Sequence, residues 1–320
     1  MVIHMTSHRN NLPQLGGELL LTDSGLETTL IFFEGLDLPS FAAYPLMESP
    51  EGREILARYY RRHLAIAADH GTGFVLEAPT WRASRDWGAG LGHDPETLAR
   101  INRAAISFLS DLRGTARGIA PVVISANLGP RGDGYKPDTA MTADEAEAYH
   151  GEQIGWFADT DADMVSAFTI STVAEGVGVI RAAVKAGLPV VVSYTVETDG
   201  RLPDGTGLGE AIAQSDALTD GAAAYFMVNC AHPDHFREAL EAGSDWLKRI
   251  GGVRANASRL SHAELDEAEE LDDGNPDELG RDFARLRRIL PNLSVLGGCC
   301  GTDHRHVEAM ADCCAPIRAA

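Results

Sequence analysis

From about residue 17 onward the chain repeats one pattern. A short apolar run is followed by a longer stretch whose apolar positions recur every three or four residues. The short runs predict strands at 19–22, 74–77, 122–126, 164–168, 190–194, 225–228, 250–254 and 294–296. The longer stretches predict helices at 52–70, 95–113, 142–160, 172–186, 208–217, 233–242 and 277–290, with a last one starting near Thr302. The run from Val190 to Tyr194 is apolar almost throughout, as expected of a sheet buried on both faces.

Local chemistry agrees with these boundaries. Thr142 followed by Glu145 predicts a capping box. Pro95 after Asp94, and Pro276 after Asn275, suit helix starts. Gly187 closes one helix and Pro189 opens the next strand.

Eight strand–helix units in 320 residues average about 40 residues each, against roughly 250 residues for a typical (β/α)8 barrel. The excess lies in the loops 24–50, 197–207 and 255–275, each following a predicted strand. In a TIM barrel these loops share the C-terminal face, where such folds keep their sites. The rival is an open doubly wound sheet. It lacks a dinucleotide fingerprint, because the glycines at 205, 207 and 209 follow a loop and read as a turn. The reading is an α/β fold: one (β/α)8 TIM barrel domain over 17–320, preceded by a polar N-terminal tail over 1–16.

Composition narrows the partners. With 27 basic and 47 acidic residues the net charge is −20, which argues against nucleic acid and anionic membrane surfaces. The first residues form no apolar leader, and runs such as 119–124 and 188–192 are too short to span a bilayer. A cytoplasmic protein acting on small molecules is expected; the oligomeric state is not legible.

All five cysteines lie beyond residue 229. Cys230 ends the sixth strand, and Cys299 and Cys300 end the eighth within Gly-Gly-Cys-Cys-Gly-Thr. Strands six and eight of a barrel are one strand apart, so their ends converge above the mouth. The glycines allow two consecutive cysteines to reach one point. Three thiolates make a soft site suited to zinc, and three protein ligands leave a position open for substrate. A thiol in that position would be ionised at neutral pH, and the net negative centre would keep its sulfur nucleophilic. The alternatives are small buried hydrophobes or a vicinal disulfide. Cys313 and Cys314, on the last helix, read as inert or redox-labile thiols. His232, His235, His304 and His306 read as polar residues of first helical turns rather than a fourth ligand.

Asp23-Ser24-Gly25 after the first strand, Asn229-Cys230, and the run from Gly297 to Thr302 resemble the homocysteine S-methyltransferase family, over about residues 17–312. The resemblance implies a zinc barrel with Cys230, Cys299 and Cys300 as ligands. It implies methyl transfer from a sulfonium or quaternary ammonium donor to a zinc-bound thiolate of homocysteine or a related thiol, as in methionine biosynthesis. No catalytic residue is expected beyond that thiolate. A donor of the S-adenosylmethionine or S-methylmethionine type is expected for a chain with a single module.

Substrate-binding residues implied by the resemblance are Asp23, which would hold the acceptor amine, with Ser24, Gly25 and Asn229 beside it. The chain departs from the family in three places. Ser24 stands where the family has Gly, and Phe168 where strand four carries an amine-binding Glu. Glu77 adds a carboxylate where strand two is uncharged. Glu77 would replace the missing Glu from across the pocket; alternatively Phe168 would face a methylated cation, or simply pack in the core. Arg82 and Arg254 are candidate carboxylate clamps or ordinary rim residues. The acidic run 264–273 reads as a lid or as a solvated helix. Two other function classes stay open: a zinc hydrolase on a barrel, and a non-catalytic zinc or thiol sensor.

Overall fold

The computed structural model describes residues 8–136, 141–268 and 270–316. Eight parallel strands close into a barrel in sequence order: β1 (Leu20–Thr22), β2 (Gly73–Glu77), β3 (Val122–Leu128), β4 (Met164–Ile170), β5 (Val190–Tyr194), β6 (Tyr225–Asn229), β7 (Ile250–Ala255) and β8 (Val295–Gly298). Closure comes from β1 pairing with β8, Leu20 opposite Val295. The barrel expected from the strand–helix rhythm is therefore the fold, and the open sheet is not.

Side-chain alternation divides the core in two. Leu20, Val75, Val123, Met164, Val191, Met227 and Val295 form a cluster inside the barrel. Their neighbours Leu21, Phe74, Leu76, Ile124, Val165 and Leu296 pack outward in the larger core beneath the helices. The same period carries the inward face up each strand, two residues per step, to Thr22, Glu77, Asn127, Phe168, Asn229 and Arg254.

Helix ends follow their chemistry. Thr142 and Glu145 form the expected capping box on the helix Ala143–Phe157. Asp94 and Asn275 cap the helices Pro95–Thr115 and Pro276–Ile289. Among the described residues no helix is long and apolar enough to cross a membrane.

The stretch expected as a tail is described from His8, and from there it lies beneath the barrel. Leu12 and Gln14 are buried. The guanidinium of Arg9 donates to the carbonyls of Ala158, Thr160 and Ala162 at 2.7–3.1 Å. Gln14 donates to the Tyr225 hydroxyl at 3.2 Å. These carbonyls and this hydroxyl are the partners that make a polar segment stable against the barrel floor.

Candidate functional site

The strand ends and the loops that follow them enclose a cavity of about 470 Å³, lined by Asp23, Ser24, Gly25, Glu77, Phe168, Asn229, Cys230, Cys299 and Cys300. The nine residues expected from the sequence as metal ligands or substrate contacts thus meet in one place.

The sulfurs lie together. The Sγ atoms of Cys230, Cys299 and Cys300 are all within 4.8 Å of one another. Those of Cys230 and Cys299 are in direct contact, with Cα atoms 5.4 Å apart. Cys230 reaches this point because its backbone is left-handed, φ 55°, and Thr169 across from it has φ 63°. Asn229 holds both turns: its Oδ1 accepts the Thr169 N–H at 2.9 Å, and its Nδ2 donates to Thr169 Oγ1 at 2.9 Å. The same amide donates to Cys230 Sγ at 3.2 Å. Gly25 is required by proximity, since a Cβ there would stand 2.5 Å from the Cys299 carbonyl oxygen. Thr302 ties the two loops, donating to Cys299 O at 2.7 Å and accepting the Gly25 N–H at 3.1 Å.

This donor set fits a soft cation. Burial pushes the Cys300 thiol up, and only part of that is offset by a hydrogen bond from Tyr135. Three cysteine sulfurs this close are held as thiolates together only beside a positive charge. The neighbouring histidines do not join them. His306 accepts from the Asp303 N–H within a capping box. His232 accepts from the Asp234 N–H, and His235 bonds Arg259 O. None of these histidines, nor His304, lines the cavity. Cys313 and Cys314, in the last helix, also lie outside it.

Two of the cavity's carboxyls, those of Asp23 and Glu77, differ. Asp23 is fully engaged: Oδ1 takes Arg254 at 2.7 Å and Thr22 at 3.0 Å, and Oδ2 takes the Tyr59 hydroxyl at 3.0 Å. Arg254 also donates to Gly298 O and Ser24 O, and its guanidinium sits 5.1 Å above the Phe168 ring. It is a buried structural cation rather than a free clamp. Burial opposes its charge, but Asp23 and Glu77 keep it firmly protonated. Glu77 is only 3% exposed, has Oε1 at 3.5 Å from Ser166 Oγ, and leaves Oε2 without a partner among the described residues. Burial pushes its carboxyl up to about 7, with Arg254 pulling the other way.

Ser24 points its hydroxyl away from this chemistry. It bonds His63 Nε2 at 2.9 Å and the Tyr59 hydroxyl at 3.2 Å. Burial draws His63 down to about 4, so the imidazole is neutral. The helix Pro50–His70 thereby anchors the first loop.

Several cavity residues escaped the sequence reading. Glu27, four residues past Asp23, has its carboxyl pushed up to about 7, chiefly by desolvation. Trp81 and Trp87 flank Arg82; two tryptophans around an arginine just past a strand end were a usable signal. Tyr135 sits in the long loop after β3, where sequence offered none. Its ring lies 4.1 Å from that of His262 in the loop after β7. The acidic run 264–273 begins in the helix His262–Glu267 and continues past it, with Leu265, Asp266 and Asp272 lining the cavity.

Barrel and cavity together define a (β/α)8 enzyme with a cluster of thiols at its mouth. The family model for homocysteine S-methyltransferase matches residues 20–314. The chain belongs to the homocysteine S-methyltransferase family and is a methyltransferase. Among solved structures, the homocysteine methyltransferase MmuM from Escherichia coli is similar in its oxidised form, with TM-score 0.69 and 16% identity over 92% of this chain and 95% of that one. Its metallated form gives TM-score 0.68 and 17% identity, over 94% and 98%. At such identity the likeness carries the fold. No curated protein matches the chain.

Proposed function

We propose that this protein is a zinc-dependent S-methyltransferase that moves a methyl group from a sulfonium or quaternary ammonium donor to the thiolate of homocysteine or a related aminothiol. The observation that carries the reading is the convergence of three thiols from the ends of β6 and β8 within 4.8 Å of one another. Cys230, Cys299 and Cys300 would hold the zinc. Bound there, zinc would supply the Lewis acidity that keeps an acceptor thiol ionised at neutral pH. The all-sulfur set separates this from a barrel hydrolase, whose metal ordinarily has His and carboxylate ligands.

The chain's own residues position the acceptor. Asn229 fixes the backbone of the Cys230 and Thr169 turns and donates toward sulfur. Glu77, with one oxygen unpartnered, receives the acceptor ammonium. Asp23 acts through Arg254 instead, since both its oxygens are already taken. Phe168 gives a dry wall on which Arg254 rests. The acceptor sulfur attacks the donor methyl carbon. A new C–S bond forms as the donor's bond to that methyl breaks, and the electron pair stays on the departing sulfur or nitrogen.

The test is methyl transfer in a donor–thiol screen by zinc-loaded protein, with homocysteine first among the acceptors. Product formation is expected with an aminothiol and lost when the metal is removed. Metal binding without transfer to any thiol in the screen would make the protein a thiol or zinc sensor instead.

A further inference from the structure

Past the end of β2 the chain places an arginine between two tryptophans. The Arg82 guanidinium lies 3.9 Å from the Trp81 ring centroid and 3.6 Å from that of Trp87. Both rings are anchored, Trp81 by its indole N–H to Phe168 O at 3.4 Å and Trp87 to Pro130 O at 3.2 Å. Stacking of this kind holds a guanidinium flat and leaves its edge for hydrogen bonding.

That edge is underused. Among the described residues Arg82 makes one long hydrogen bond, to Gly132 O at 3.3 Å. Its Nε is buried without a partner. No carboxylate comes within salt-bridge distance of it among those residues, although Glu27 and Asp133 are close enough to be felt. Burial draws Arg82 down to about 10, which leaves it cationic at neutral pH. A half-buried cation that lines the cavity with hydrogen-bond donors to spare attracts an anion. The faces of Trp81 and Trp87 are already filled by a positive group, so this pair of rings does not cage an onium ion.

We infer that Arg82 takes the carboxylate of the methyl donor and so selects donors that carry an acid group. The inference rests on the methyltransferase reading and adds the donor's chemical class. The donor, not the acceptor, is assigned to Arg82 because of where Arg82 stands. Glu77 and Asn229 end β2 and β6, and the cysteines follow directly on β6 and β8. Arg82, Trp87 and Gly132 belong to the loops above them, where the second substrate meets the first.

Calorimetric titration of the zinc-loaded protein tests this without needing turnover. The probes are S-methylmethionine, its methyl ester, homocysteine and homocysteine methyl ester, each against the parent, R82Q and R82K. The parent should bind S-methylmethionine about 10- to 100-fold more tightly than its ester. In R82Q that preference should fall to within about twofold by loss of affinity for the free acid, with partial recovery in R82K. Homocysteine affinity should stay the same in all three. Equal binding of acid and ester by the parent, no binding of either, or a loss in R82Q that falls on homocysteine would overturn the assignment. Should R82Q fail to fold, the parent's acid–ester comparison decides. Passage of a labelled methyl to homocysteine is scored separately and tests the methyltransferase reading alone.

Discussion

The two ends of the barrel treat buried charged groups in opposite ways. At the floor, Arg9 is spent on the carbonyls of Ala158, Thr160 and Ala162, and the His8 N–H is bonded to Asp163. At the mouth, Glu77 Oε2 and Arg82 Nε are buried with nothing to bond among the described residues, whereas at the floor only neutral atoms such as Gln14 Oε1 and Thr72 Oγ1 are left so. Leaving such a group unmatched costs about 1–3 kcal/mol. The floor was built to be stable; the mouth tolerates that penalty because something else is meant to bond there. An unmatched charged group at one end of a uniform scaffold, where the other end leaves only neutral atoms unmatched, is thus a positive sign of a binding site.

The sharpest way to break this contrast is at the sulfurs. Cys230→Ser, Cys299→Ser or Cys300→Ser should lower bound zinc from about one per chain to near none and remove methyl transfer, while the far-ultraviolet spectrum stays that of the parent. Metal analysis of the three purified variants checks this, and full zinc retention in all of them would end the zinc reading.

Next in size is Glu77→Gln. It should raise the acceptor KM about 10- to 100-fold at pH 8. In the parent, the ammonium needs the ionised carboxylate, whose empty-site value is about 7. Acceptor binding should therefore weaken by up to about tenfold per pH unit below 7, and this part of the pH profile should vanish in the variant. Stability should move the other way. The folded carboxyl holds its proton up to about 7 against an ordinary 4.5, so parent stability falls as pH rises between those values. Above pH 7 the variant should be more stable by up to about 3 kcal/mol, and below pH 4.5 no different. Denaturant titrations at pH 8 and pH 4 measure this.

At the floor, Arg9→Ala should cost roughly 2 kcal/mol, or about 4–8 °C in unfolding temperature, with both KM values unchanged. A KM shift without a stability loss would erase the distinction between the two ends. The smallest effect is expected from Phe168→Glu. The new carboxylate would compete for Arg254, now 5.1 Å above the ring, and loosen its hold on Asp23. Homocysteine KM should fall about two- to fivefold, read from steady-state kinetics.

The barrel was legible because each strand carries a short apolar run buried on both faces, and because Asp94, Thr142 and Asn275 mark helix starts by local rules. The thiol cluster was legible for a related reason: once the strand order is known, a cysteine at a strand end has a known address. What stayed hidden depends on pairs far apart in the chain. Asp23 and Arg254 are 231 residues apart, and only the meeting of β7, β8 and β1 at closure brings them together. The segment beginning at His8 looked like a tail because Arg9 and Gln14 are polar, and sequence does not reveal that carbonyls and a tyrosine hydroxyl await them. Tyr135 reaches Cys300 through a long loop whose path no periodicity describes.

Cys230 and Thr169 both occupy the left-handed backbone region, which residues with a Cβ enter at a cost of about 1 kcal/mol and glycine enters freely. A laboratory lineage bred only for heat resistance would drift toward glycine at both positions and improve as it did so. It would arrive at a sturdier barrel with an empty mouth. The sulfur at 230 thus stands against a backbone preference for glycine, and the backbone angle tells a breeder which gains in robustness to refuse.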